Sequence, residues 1–293
     1  MAPTAVTDIR STPDLRAMLH GTVRRFRRNA GLIVGAVMIV ALMLVAFFAP
    51  LPHDPLTPDP TVVLQPPGGS HWFGTDASGF DIFSRTIEAA KKDIPLVLAG
   101  TLVSVLVGVP LGLIAGVERR WGERLMRGLE VFQALPLILL AIVIVKVTGN
   151  RIENIVFALA IVQVPRFMRL VRGEALSLRE SRFVEAARAI GCRRRRVMFR
   201  HILPNVSGII LVQCSLAVAN GIIVVAALTF IGVGANPPEP TWGGMVYDGT
   251  RYIAQGSWWV SVFPGIAIFL VVFAFNLVAD GLERIFDADV TRV

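Results

Sequence analysis

The sequence predicts an all-α membrane protein with six transmembrane helices, and three observations predict it. Of the 293 residues, 54% are hydrophobic and the mean hydropathy is +0.64, too apolar for a soluble chain of this length. Charge-free runs of about 20 residues recur, long enough to cross about 30 Å of hydrocarbon at 1.5 Å per residue. The arginines cluster in short segments between those runs. The net charge of +8, which could suggest nucleic acid, therefore reads as a signal of orientation in a bilayer.

Residues 1–29 form a polar, basic N-terminal segment, with Arg24, Arg25, Arg27 and Arg28 just ahead of the first span. That span, 30–49, carries no charge and lacks a small-x-small cleavage site before Pro50, so it reads as a retained signal anchor. Residues 50–93 read as an external loop. Seven prolines between Pro50 and Pro67 exclude regular helix there, and the polar-aromatic stretch 71–85 is rich in turn residues. The second span, 94–117, contains Pro110, tolerable where neighbouring helices absorb the kink.

Residues 118–130 read as a short charged loop, and 131–145 as the third span, with Pro136 near its start. The fourth apolar stretch, 155–164, is too short to span alone and must extend back through 150–154 or forward through 167–171. The fifth span lies within 207–235 and the sixth within 258–279. Residues 94–279 are thus expected to form a five-helix core, and 280–293 a polar tail.

Six spans put both termini on one side. With the N-terminus in the cytoplasm, the cytoplasmic segments 1–29, 118–130, 165–206 and 280–293 hold 23 of the 29 lysines and arginines. The reverse orientation contradicts the positive-inside bias. Cys192 lies in a polar island and Cys214 deep in an apolar run, so no disulfide is expected between them. The four histidines, His20, His53, His71 and His201, are scattered without ligand spacing, and no metal site or cofactor is expected in this chain.

The polar island carries the most chemistry. Phe183, Ala187 and Ile190 lie at i, i+4 and i+7, on one helical face. Ser181 is a plausible N-cap, and Glu185 near the helix start suits the macrodipole. Gly191 fits the position just past a helix end, where a left-handed backbone is usual. Arg193, Arg194, Arg195 and Arg196 open a second short helix carrying Val197, Met198 and Ile202, and Pro204 ends it. The segment 181–204 thus reads as two short helices with a bend, lying across the cytoplasmic face. One reading is an interfacial segment whose arginines touch anionic lipid headgroups. The small residues Ala186 and Ala187 suit instead the close approach of another protein.

The order Glu185-Ala186-Ala187, Gly191, His201-Ile202-Leu203-Pro204 resembles the EAA motif, the coupling segment of bacterial ABC-importer membrane subunits. Elsewhere, Phe73-Gly74-Thr75-Asp76 with Gly79, Asp81, Ser84 and Arg85 resembles the segment between the first two spans of the smaller permease of dipeptide/oligopeptide importers, the DppC/OppC group. Pro237 and Pro238 with Trp242 and Gly243 resemble that family's loop between spans five and six, and Asn276 to Leu282 its C-terminal signature.

The resemblance implies a type I ABC importer transmembrane domain with cytoplasmic coupling helices, in a bacterial inner membrane. It implies as partners a second homologous permease, two ATP-binding cassette subunits, an extracytoplasmic substrate-binding protein and a peptide substrate. ATP and magnesium would bind in the cassette subunits. It assigns ATPase coupling to Glu185, Ala186, Ala187, Gly191, His201 and Pro204. A Gly-x-x-x-x-Gly-Lys-Ser/Thr phosphate loop is missing from the sequence, so this chain is not expected to hydrolyse ATP. Two departures lie on the external side: Phe80 stands where the family has arginine, and Ala89 to Leu96 replaces a Gly-x-Arg-x-Ser-Leu segment. Nickel, glutathione or sugar-like cargo are alternatives to peptides.

Two other function classes find less support in the sequence. A membrane hydrolase could use His71, Asp76 and Ser84, although their spacing follows no nucleophile elbow. An ion-driven carrier would place ionisable residues mid-membrane, and the expected spans carry none near their centres. Asp280 and Glu283 read as boundary charges, Lys146 as snorkelling, and His201 as a structural hydrogen-bonder. Trp242, Trp258 and Trp259 suit an external interfacial belt.

Overall fold

A computed structural model describes residues 29–234 and 236–290. Nine helices are found among the described residues: α1 (Ala30–Phe48), α2 (Ile82–Val117), α3 (Arg119–Gln133), α4 (Leu137–Thr148), α5 (Ile152–Arg179), α6 (Arg182–Ala189), α7 (Arg194–Phe230), α8 (Trp242–Thr250) and α9 (Trp259–Val290). Five of them, α1, α2, α5, α7 and α9, are long and apolar enough to cross a membrane. The shorter apolar α4 takes the third position, so the six expected spans map onto five long helices and one short one.

The α2–α5 contact is the broadest between any two helices. Gly100, Ser104, Gly108, Gly112 and Gly116 recur every four residues along α2 and so share one face. A Cβ on Gly108 would stand 2.9 Å from the Val164 carbonyl oxygen, one on Gly112 2.7 Å from that of Met168, and one on Gly116 2.5 Å from the Ala175 Cβ. The two backbones therefore meet with nothing between them, the mode by which helices associate where solvent supplies no hydrophobic drive. Ser104 stays in the seam by donating its hydroxyl to the carbonyls of Gly100 (2.7 Å) and Ala160 (3.3 Å).

The remaining helices dock around this pair. Gln163 on α5 donates its amide to the Ala217 carbonyl on α7 at 3.1 Å, a buried bond joining the two spans. Asn29, which caps α1 by accepting from the Leu32 amide, also donates to the Gly281 carbonyl on α9 at 2.9 Å. The start of α1 and the end of α9 therefore share one end of the bundle with the arginine island. The loop 50–81 and α8 share the other.

The structure corrects several sequence expectations. Residues 118–130 are not a loop. Leu125, Met126 and Leu129 form a narrow apolar stripe that packs on Leu111, Ala115 and Met168, which makes α3 a helix folded back on α2. The third span is not 131–145 but the 12-residue α4, about 18 Å long. Pro136, in an extended conformation, disfavours helix at Leu135 and splits the run. The second span starts at Ile82 rather than 94, because Asp81 caps the helix there and Pro95 is absorbed within it.

The fourth span runs forward to Arg179 straight through Pro165. The fifth ends at Phe230 rather than 235, and α9 continues beyond 279 to Val290, so the expected tail is largely helix. Pro204 does not end a helix. It sits near the start of a long span that continues unbroken from Arg194. A π turn over Met198–Ile202, closed by the Leu203 amide on the Met198 carbonyl, widens the backbone where the proline ring would otherwise meet the preceding turn. The N-terminal segment 1–28 and residues 291–293 lie outside the described residues.

The seam yields a test. Gly112→Val drives a branched side chain into the Met168 carbonyl and the Val171 Cβ, an overpacking worth about 1–3 kcal/mol. Gly173 on α5 has open space around it. In detergent, Gly112→Val should lower the apparent melting temperature while Gly173→Val leaves it near wild type. Equal melting of the two variants would show that the seam does not hold the bundle together.

Candidate functional site

At the arginine end, α6 is fixed by two side chains. Val184 and Ala187 are buried in a cluster with Leu113, Phe167, Val171 and Ile202. The expected face of Phe183, Ala187 and Ile190 is not the buried one: Phe183 is 42% and Ile190 82% exposed. The segment shows Phe183, Glu185, Ala186 and Ile190 outward together with Arg182 and Arg188, a surface of apolar, small and charged residues. Ser181 occupies the N-cap position in an extended conformation, but its hydroxyl donates to the Leu178 carbonyl at 2.6 Å instead of capping.

The far end of α6 is a Schellman closure. Gly191 has φ +83°, its amide donates to Arg188 O (2.9 Å), and the Cys192 amide donates to Ala187 O (3.0 Å). The side chains of Cys192 and Ala187 join the same apolar cluster, which completes the motif. Beyond the bend, Arg194 pairs with Glu118 at the α2–α3 junction, 2.9 Å apart. A cavity of about 500 Å³ opens beside it, lined by Val117, Arg179, Glu180, Arg188, Cys192, Arg194 and Val197. His201 lies in the π turn, where its backbone carbonyl accepts from the Asn205 side chain at 2.6 Å, and Pro204 is exposed on the next turn.

At the opposite end, the segment 73–85 knots the loop to the bundle. Asp76 accepts from the amides of Ser78 (2.8 Å) and Phe80 (3.0 Å), and Asp81 caps α2 by accepting from the Ser84 amide (2.8 Å). Thr75 is fully buried. Its hydroxyl accepts from the Gln65 amide at 2.8 Å and donates to the Val62 carbonyl. Phe73 stacks on Phe263 of α9 with ring centroids 4.0 Å apart, and the Trp259 indole N–H donates to the Thr75 carbonyl at 3.2 Å. Phe80, the departure from the family pattern, lies under the Arg85 guanidinium at 4.0 Å, and Arg85 donates to the Pro55 carbonyl at 3.1 Å.

The other departure holds α8. Asp93 accepts from the Trp242 amide at 3.0 Å, the Trp242 indole donates to the Thr86 carbonyl at 3.0 Å, and Lys92 pairs with Glu239 at 3.0 Å. Pro237 and Pro238, joined by a cis peptide, lead into α8, whose Gly243 lies against the Ala226 carbonyl. Trp242 and Trp259 are therefore buried anchors, and of the three tryptophans expected in an interfacial belt only Trp258 is half-exposed. Burial lifts the Asp248 carboxyl of α8 above its ordinary value, with Arg251 opposing and Asp76 adding to the rise. Asp93, Lys92 and Thr86 were not among the expected site residues. The one signal in the sequence was an acidic residue abutting an apolar run.

A hydrolytic triad does not form from His71, Asp76 and Ser84. His71 pairs with Asp81 through Nδ1, Asp76 is committed to its own turn, and the buried Ser84 hydroxyl accepts from the His53 amide at 3.3 Å. The tightest constraint in the knot is Gly79, at φ +86°, where an added Cβ would stand 1.9 Å from the Asp59 carbonyl oxygen. Gly79→Ala should therefore loosen the loop from α2. Limited proteolysis of intact vesicles should then cut within 50–81 much faster than in wild type. Unchanged cleavage would mean that the knot is not held at this point.

Comparison with known proteins fits this architecture. The binding-protein-dependent transport system inner membrane component family matches residues 108–292, and the N-terminal TM domain of oligopeptide transport permease C matches residues 18–67. The dipeptide transport system permease protein DppC of Alkalihalophilus pseudofirmus is 41% identical over 90% of this chain and 88% of its own length. The glutathione transport system permease protein GsiD of Pectobacterium atrosepticum is 38% identical over 90% and 89%. The probable D,D-dipeptide transport system permease protein DdpC of Escherichia coli is 36% identical over 87% and 86%. Long apolar helices, an outward-facing short helix at one end and a match over most of its length together show that the chain belongs to the family of inner membrane components of binding-protein-dependent transport systems.

Proposed function

We propose that this chain is one of two homologous permeases of an ATP-driven importer of di- and oligopeptides, and that α6 seats in a groove of an ATP-binding cassette subunit. The observation that carries the coupling role is the construction of α6. Val184 and Ala187 root it in the bundle, while Glu185, Ala186 and Ile190 are left for a partner. A load on α6 passes through the Schellman bend at Gly191 into α7, a single helix that runs the length of the bundle. Closure of the cassette dimer would then rock α7 between inward- and outward-open states.

Peptide cargo is supported by relatives named for dipeptides, while a relative named for glutathione favours glutathione as the second reading of cargo. The cassette subunits bind ATP and magnesium, and an extracytoplasmic binding protein delivers the substrate to the end built from the 50–81 loop and α8.

Orientation follows from charge. With the arginine end in the cytoplasm, 23 of the 29 lysines and arginines face inward. Single cysteines at Ser78 and Glu239 should be labelled by an impermeant reagent from outside intact cells, and one at Arg194 only after permeabilisation. External labelling at Arg194 would invert the topology.

The coupling test uses two positions far from any substrate path. Glu185→Ala should remove a charge-assisted contact worth about 1.5–3 kcal/mol, roughly ten- to a hundredfold in the coupled complex. Gly191→Val should strain the left-handed bend by roughly 1–3 kcal/mol, whereas Gly191→Asn should be tolerated, because nothing crowds a side chain there and asparagine accepts that backbone. In vesicles holding both permeases and both cassette subunits, transport and stimulated ATPase should fall together in the first two variants and recover in the third. If Glu185→Ala and Gly191→Val transport normally while neutralising Arg193, Arg194, Arg195 and Arg196 frees the segment from anionic vesicles, the lipid-surface reading holds instead.

A further inference from the structure

His53 and His71 sit apart in the proline-rich loop, yet their rings stack with centroids 4.3 Å apart and a 25° interplanar angle. Both Nδ1 atoms approach the same oxygen of Asp81, His71 at 2.9 Å and His53 at 3.7 Å. One ligand atom from each of the three residues lies within 4.8 Å of the others. His71 and Asp81 are buried. His53 Nδ1 is also shut off from solvent, and it has no hydrogen-bond partner. A buried nitrogen lone pair or N–H without a partner is an unfavourable arrangement that a ligand would relieve.

We propose that His53, His71 and Asp81 bind one divalent transition-metal ion of the zinc type and clamp the loop onto the start of α2. Two imidazole nitrogens and one carboxylate oxygen are the borderline donor set that zinc, cobalt and nickel share. For bonds of about 2.0–2.1 Å, neighbouring tetrahedral ligand atoms stand about 3.3 Å apart. The separations of 2.9 Å and 3.7 Å fall on either side of that value. The outer support exists already, since the second oxygen of Asp81 accepts from the Ser84 amide at 2.8 Å and fixes the carboxylate plane. Asp59 adds a second negative charge within electrostatic reach of both rings.

On binding, Asp81 Oδ1 and both Nδ1 lone pairs turn to the ion. The His71 Nδ1–H proton passes to water while Nε2 takes one up from water, so the ring stays neutral, with its hydrogen on Nε2, and no net proton is released. With three protein ligands, a water molecule would complete the tetrahedral set. The clamp joins His53 to Asp81 without passing through the chain between them, so it would stiffen the loop as a crosslink does.

The experiment uses the full-length chain in detergent, carrying an affinity tag without histidines and stripped by a chelator. Zinc affinity is measured by competition with a chromogenic chelator, and cobalt is added to a parallel sample. One equivalent of zinc per chain is expected. His53→Ala, which removes a half-exposed side chain and leaves the backbone bond to Ser84 in place, should weaken binding by roughly tenfold or more. His201→Gln should leave it unchanged. Cobalt should give the visible absorption of a tetrahedral site in wild type and lose it in His53→Ala. Wild-type affinity no tighter than that of His53→Ala, or a loss that follows His201→Gln instead, overturns the assignment. The readout needs no transport, so it stands or falls separately from the importer reading.

Discussion

The close approach of α2 and α5 along Gly100, Ser104, Gly108, Gly112 and Gly116 is the contact on which the rest of the bundle is aligned. In a bilayer, lipid tails are as apolar as leucine, so helices gain little from hiding side chains from their surroundings. They gain from backbone contact, which requires that one helix present no side chains over a continuous strip. Because α2 is 36 residues long, it carries position from one end of the molecule to the other. Its first turn is tied to the loop through Asp81 and Arg85, and its last lies beside α6 and the Arg194–Glu118 pair.

The two ends are built on different physics. The loop end is a dense polar knot: backbone amides donate to Asp76 and Asp81, buried indoles donate to carbonyls, and aromatic rings stack. Such an end resists deformation, because each bond would have to break without a replacement from water. The arginine end is lightly rooted. A two-turn helix holds on by two side chains and shows the rest of its surface. A rigid receiving end and a loosely held short helix at the other suit a part that accepts a solute on one face and a push on the other.

Residues that depart from the family pattern are structural here. Phe80 supports Arg85, while Lys92 and Asp93 secure the turn into α8 and its first residue. The departures therefore leave the knot closed by other means. They alter the loop end without disturbing the island.

Much was legible in the sequence because the bilayer imposes one-dimensional rules. Charge-free length marks the spans, arginine density marks an end, and Gly191 marks a left-handed helix stop by its own backbone freedom. What stayed hidden depended on partners distant in the chain. The stripe of Leu125, Met126 and Leu129 became a helix only because α2 and α5 offered a surface for it, and Pro204 fitted inside a helix because a π turn opened behind it. Ala187 was buried while Phe183 and Ile190 were not, since the cluster beneath α6, and no helical wheel, decides which side is inside. His53, His71 and Asp81 carried no ligand spacing along the chain; the folded loop alone brought two rings onto one carboxylate. The approximate number of spans, the stop at Gly191 and the island followed from local composition and backbone preference, whereas most span ends, the seam, the knot and the histidine cluster were decided by tertiary contact, because close approach is a property of pairs of residues that no single stretch of chain contains.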